Sequence, residues 1–258
     1  MPRGATAAAI LALLAGAAGC QPPPDVDPDA APAGPYPIAV DPEPGSEGVV
    51  TDPVVRVEMS DHLSGRSIKR SRLSLASGGM SMWVMTCYDP VRRRLSVWPS
   101  ARLRKNATWV FSFDEGMKGL DGEEVPAGEV TRFRTGEEPG DNSPFKTYSY
   151  ERDVKPIFEE RCASCHGGAG AGLAGLRLDT AEAVGETALG VRSTGWPDWS
   201  RIVPARPSES YLLYKIIGDP RVAGTAMPRG EGLEDAPPLT RGERELVSDW
   251  IASGAAFF

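Results

Sequence analysis

Histidine and cysteine are scarce in this chain of 258 residues, which has two of the first and four of the second. No His or Cys follows His166, so a zinc site of the usual four-ligand kind is short of donors there. No internal run is long and apolar enough to span a bilayer as a helix. Basic charge is not in excess: 28 Lys and Arg against 35 Asp and Glu leave a net of −7, which argues against nucleic acid as a partner. Glycine (29) and proline (24) are plentiful and point to loops and linkers rather than long helices. The charge is uneven. Residues 20–53 carry no base, whereas residues 54–105 carry eleven Lys and Arg against three Asp and Glu, a segment able to dock an acidic partner or anionic lipid or simply to face solvent.

The first 19 residues read as a signal peptide: Arg3, then a short stretch of Ala, Leu, Ile and Gly ending in small residues. The run Leu14-Ala15-Gly16-Ala17-Ala18-Gly19-Cys20 resembles a bacterial lipobox, which implies a lipid on Cys20 and a cell-envelope lipoprotein, periplasmic and anchored at the outer membrane. Residues 20–35 form a Pro- and Asp-rich tether that cannot bury a core and favours extended polyproline II.

Residues 36–138 follow a period of two, as strands do. Strands are predicted over 54–59, 81–87, 94–98, 107–113 and 130–135, with turn signals at Ser77-Gly78-Gly79, Asp89-Pro90 and Asp121-Gly122. This stretch resembles the bacterial Ig-like domains of exported proteins, through Tyr88-Asp89-Pro90, Arg94–Pro99, Ala107–Phe111 and Phe133-Arg134-Thr135-Gly136. Cys87 reads as a buried small hydrophobe, and His62 as surface or turn filler.

After a linker over 139–146, residues 147–258 hold Cys162-Ala163-Ser164-Cys165-His166, the C-x-x-C-H spacing of c-type haem attachment. Two thiols three apart can form thioethers with the porphyrin vinyl groups, and the following imidazole then lies under the iron. A thioredoxin-like dithiol needs a βαβ context that the pattern lacks. Met227, in Thr225-Ala226-Met227-Pro228, is the only methionine after His166 and so is the candidate for the second axial position. Helices are predicted over 153–162 and 208–217, with a last one opening on a capping box at Thr240 and Glu243.

These residues, with Ile202-Val203-Pro204 and Trp250–Ala255, resemble a single-haem cytochrome c domain. The resemblance implies one covalent haem c, with thioethers at Cys162 and Cys165 and iron held between His166 and Met227. Two departures stand out: Ala205, where such domains have Gly, and an insert-like 185–199 with Trp196 and Trp199. The expected fold is multidomain, an all-β Ig-like sandwich followed by an all-α cytochrome c domain. The expected function is electron transfer rather than catalysis, with a redox protein or enzyme as partner. A peroxidase-like or gas-binding haem protein with a labile Met ligand, or an adhesion protein with an accessory haem, stays open as an alternative.

Overall fold

A computed structural model describes residues 34–140, 146–168, 170, 172–230 and 236–257. The signal peptide, Cys20 and nearly all of the tether lie outside the described residues.

Alternation of buried and exposed side chains organises the first half. In β2 (Val55–Met59), Val55, Val57 and Met59 point inward and Glu58 outward. The same period places Leu95 and Val97 of β6 (Arg94–Pro99), and Trp109, Phe111 and Phe113 of β7 (Thr108–Phe113), in one core. With β1 (Pro37–Asp41) and β5 (Val84–Asp89), β2 and β6 make an antiparallel sheet of order β1-β2-β6-β5. A second sheet has the order β4-β3-β7-β8, from β3 (Leu73–Ser77), β4 (Met80–Met82), β7 and β8 (Gly128–Arg134). The two sheets share a buried core that Leu75, Trp109, Phe111 and Phe133 fill from one side and Val57, Leu95 and Val97 from the other.

The second half is not the all-α domain expected, and the predicted architecture of an Ig-like sandwich followed by an all-α cytochrome c domain is corrected here. The described helices are α1 (Lys155–Arg161), α2 (Ala181–Thr187) and α3 (Tyr211–Ile217), seven residues each, and α4 (Arg241–Ala252), twelve residues. Irregular chain separates them, and between α2 and α3 it makes strand-like bridges, Leu189 to Ile202 and Arg192 to Ser200. Gly190, Gly195 and Pro197 in that stretch interrupt any helical ladder.

The short helices are well specified locally. Thr240 and Glu243 close the capping box of α4, with Thr240 N–H donating to Glu243 Oε2 at 2.6 Å and Glu243 N–H to Thr240 Oγ1 at 3.2 Å. α3 ends on Gly218 at φ +71°, the left-handed conformation that glycine takes without steric penalty. Trp250 of α4, Phe158 of α1, Tyr150 and Phe257 form an aromatic cluster, with Trp250 and Phe158 edge to face at 6.4 Å.

Candidate functional site

The two halves belong to one compact unit, and ion pairs cross their seam. Arg92, in the β5–β6 turn, donates to both carboxylate oxygens of Asp249 in α4, at 2.8 and 3.1 Å. Arg221 reaches back to Asp61 at 3.0 Å and Asp121 at 2.9 Å. His62 sits at this seam, 3.5 Å from Asp219 and edge to face with Tyr214. It is largely buried, so the reading as surface filler is corrected. Burial lowers its pKa most; the charges of Asp219 and Asp61 pull the other way without overcoming it. Cys87 is only half-buried, and burial pushes its thiol up to about 12.

α1 delivers the Cys-x-x-Cys-His segment. Cys162 caps its C-terminus, and the following turn is closed by Cys165 and His166 N–H groups donating to the Cys162 carbonyl at 3.2 and 2.8 Å. His166 Nδ1 lies 3.1 Å from the Leu173 carbonyl, which fixes the ring and makes Nδ1 the protonated nitrogen. Burial lowers the pKa of His166, against the opposing pull of the Leu176 and Leu173 carbonyls.

Met227 arrives on a loop tied to α3. Its N–H donates to the Lys215 carbonyl at 2.9 Å, and the Lys215 ammonium donates to the carbonyls of Ala223 and Thr225. The result is an apolar cavity of about 230 Å³ whose lining includes Cys162, His166, Leu178, Ile202, Leu212 and Met227. A smaller space shares Cys162, His166, Met227 and Pro228 with it and adds Cys165. The four residues singled out in the sequence, from stretches about sixty residues apart, are therefore brought together.

Arg201 also lines the cavity and was not legible in the sequence. It is 8% exposed, and its guanidinium donates to the carbonyls of Ala174 (2.6 Å), Gly175 (2.6 Å) and Thr187 (2.7 Å). No carboxylate forms an ion pair with it among the described residues, and none lines the cavity. Burial lowers its pKa, yet a guanidinium stays protonated in proteins, so the cavity has a fixed positive edge. Charged residues normally face solvent, and no local sequence signal marks one that does not. Trp196 and Trp199 stack on each other at 4.8 Å, and Trp199 meets Tyr214 of α3 edge to face at 5.1 Å.

No family model matches the chain, and no curated protein matches it. Among solved structures it is similar to surface layer protein SbsC, domains 1–6, at 11% identity and a TM-score of 0.33, over 45% of this chain and 16% of that one. It is similar to CopC from Methylosinus trichosporium OB3b at 14% identity and a TM-score of 0.31, over 42% of this chain and 97% of that one. PcoC, a methionine rich copper resistance protein from Escherichia coli, gives 15% identity and a TM-score of 0.33 over 40% and 99%. The chain thus spans about a sixth of the surface layer protein. Likenesses at this level say nothing of activity.

Among the described residues no group of three or more His, Cys, Asp or Glu side chains could hold a metal ion. Burial pushes the Cys162 thiol up to about 12. The sequence-based identification as a cytochrome c, with its covalent haem c, iron and metal binding, is corrected on these findings. No helix among the described residues is long and apolar enough to cross a membrane.

Proposed function

We propose that this chain is an exported electron-transfer protein of the cell envelope, a carrier rather than an enzyme, whose redox-active group occupies the cavity where Cys162, Cys165, His166 and Met227 meet. The observation that carries this reading is that convergence: two thiols, an imidazole and a thioether lie at one apolar cavity. An apolar, water-poor surround keeps the solvent rearrangement that accompanies electron transfer small. The uncompensated charge of Arg201 supports an occupant with an apolar body and a negative edge, since a buried cation without a counter-charge is strongly unfavourable. Export rests on the leader sequence, and a lipid on Cys20 would hold the protein at a membrane within reach of a redox partner.

The test is the full chain purified from a bacterial host that exports and assembles its own redox proteins. Intact mass, visible spectrum and a potentiometric titration identify what the cavity holds. A chromophore with a reversible redox step is expected. Met227→Ala should shift its spectrum and midpoint, and Arg201→Met should lower its retention. A mass equal to the processed chain and its lipid alone, with no visible absorption and no reversible wave, overturns the proposal.

A further inference from the structure

The seam between the sandwich and the second half opens into a polar cleft of about 780 Å³. Six arginines line it: Arg92, Arg93, Arg94, Arg221, Arg241 and Arg244. Its acids are Glu58, Asp61, Asp219 and Glu245. Three of the arginines are satisfied by carboxylates: Arg92 by Asp89, Glu245 and Asp249, Arg221 by Asp61, Asp121 and Asp219, and Arg241 by Glu245.

The other three are not. Arg93 spends one donor on the Ser60 carbonyl, at 2.7 Å, and makes no ion pair among the described residues. It stands at φ +49°, where Gly or Asn is the easier occupant. Arg94 faces Glu58 across the β2–β6 pairing without forming an ion pair with it. Arg244 has a solvent-shielded Nε with no hydrogen-bond partner. Cations from a turn, a strand and a helix therefore share one concave surface without an ion pair among the described residues, with Glu58 opposite Arg94 in the strand pairing and Glu245 within reach of its charge. Guanidinium forks in that arrangement match a multivalent oxyanion, each able to donate two parallel hydrogen bonds.

We infer that this cleft binds a small oxyanion with two or more negative charges, either a phosphate ester or a di- or tricarboxylate. The inference is independent of the electron-transfer reading, because the cleft and the apolar cavity share no lining residue. The experiment is calorimetric titration of the full chain at low ionic strength with pyrophosphate and, separately, with citrate, against chloride at matched ionic strength. At least one of the two should bind with sub-millimolar affinity. Tighter binding of pyrophosphate assigns the site to phosphoryl groups, and tighter binding of citrate assigns it to carboxylates. Arg94→Gln with Arg244→Gln should weaken binding at least tenfold, while Arg104→Gln, outside the cleft, leaves it unchanged. Melting in chloride confirms that each variant is folded, and Arg94→Gln alone serves if the pair is not. Binding no tighter than that of chloride, or binding indifferent to the cleft substitutions in folded protein, overturns the inference.

Discussion

Each half of the molecule is built around a fully buried tryptophan, and the two differ in one atom. Trp109 of the sandwich has an indole N–H with no hydrogen-bond partner, whereas Trp250 of α4 donates its own to the Ala256 carbonyl at 2.8 Å. The sandwich already satisfies its backbone through strand ladders, so its core needs only volume. The second half has few ladders, and side chains must bind loop carbonyls: Trp250 at Ala256, Tyr150 at Leu178 (2.9 Å), Arg201 at three carbonyls, Lys215 at two. A half organised this way depends on polar tips as well as on packing.

Truncating either tryptophan to alanine gives the largest effect, about 3–5 kcal/mol each by denaturant melts. The comparison sharpens with phenylalanine. Trp109→Phe removes an unpaired polar group and loses only volume. Trp250→Phe removes one of the two donors to the Ala256 carbonyl, which keeps its bond from Tyr150 N–H, and the lost hydrogen bond should cost about 1 kcal/mol more. Equal costs would break the contrast.

Legibility in the sequence followed the same divide. The alternation in Val55–Met59 and the Trp109, Phe111, Phe113 spacing mark strands because a ladder imposes one period on every residue. The start of α4 was legible because its capping box is local. The bridges around residues 189–202 were not, because each depends on a partner that only tertiary packing supplies. Cys162, Cys165, His166 and Met227 could be singled out as rare residue types in a suggestive spacing, but the charge of Arg201 among them and the seam position of His62 could not.

The seam couples the halves. Arg92 is the arginine in the β5–β6 turn that holds Asp89 at 2.5 Å, Asp249 at 2.8 Å and Glu245 at 3.3 Å, with side chains 15–31% exposed. Arg92→Met leaves three carboxylates facing one another. Discounted for partial exposure, the loss should be about 2–3 kcal/mol, and hydrogen exchange should rise in α4 before it rises in β6. A uniform rise would mean that the halves do not open separately.

Two glycines make a smaller contrast. Gly78, in the β3–β4 turn, has φ +55° and open space around it; Gly218 has φ +71°, and a Cβ there would lie 3.2 Å from that of Ala226. Alanine at either position costs about 1 kcal/mol of left-handed strain. Gly218→Ala should cost more and also disturb Met227, the residue after Ala226, so any spectroscopic signature of the cavity should change in this variant alone.

The smallest expected effect is a slope with pH, and it belongs to the seam. Burial holds the pKa of His62 below its unfolded value of about 6.5, even with Asp219 and Asp61 beside it, and Arg221 and Arg93 add to the lowering. The unfolded chain therefore binds more protons than the folded one as the histidine titrates. The stability contributed is complete above pH ~6.5 and declines as the pH falls toward the folded pKa. Asp219 gives the next decline at lower pH: burial alone would raise its pKa, but hydrogen bonds and charge from Arg221 hold it below the ordinary carboxylate value. Denaturant melts between pH 7 and pH 5 should show the first decline in wild type and a flatter profile in His62→Gln. Slope left in that variant comes from His166, the other histidine, and toward pH 5 from carboxylates held below their ordinary pKa, Asp219, Glu243 and Glu245 among them. A profile unchanged by the substitution would place the pH response in the second half and remove His62 from the account of the seam.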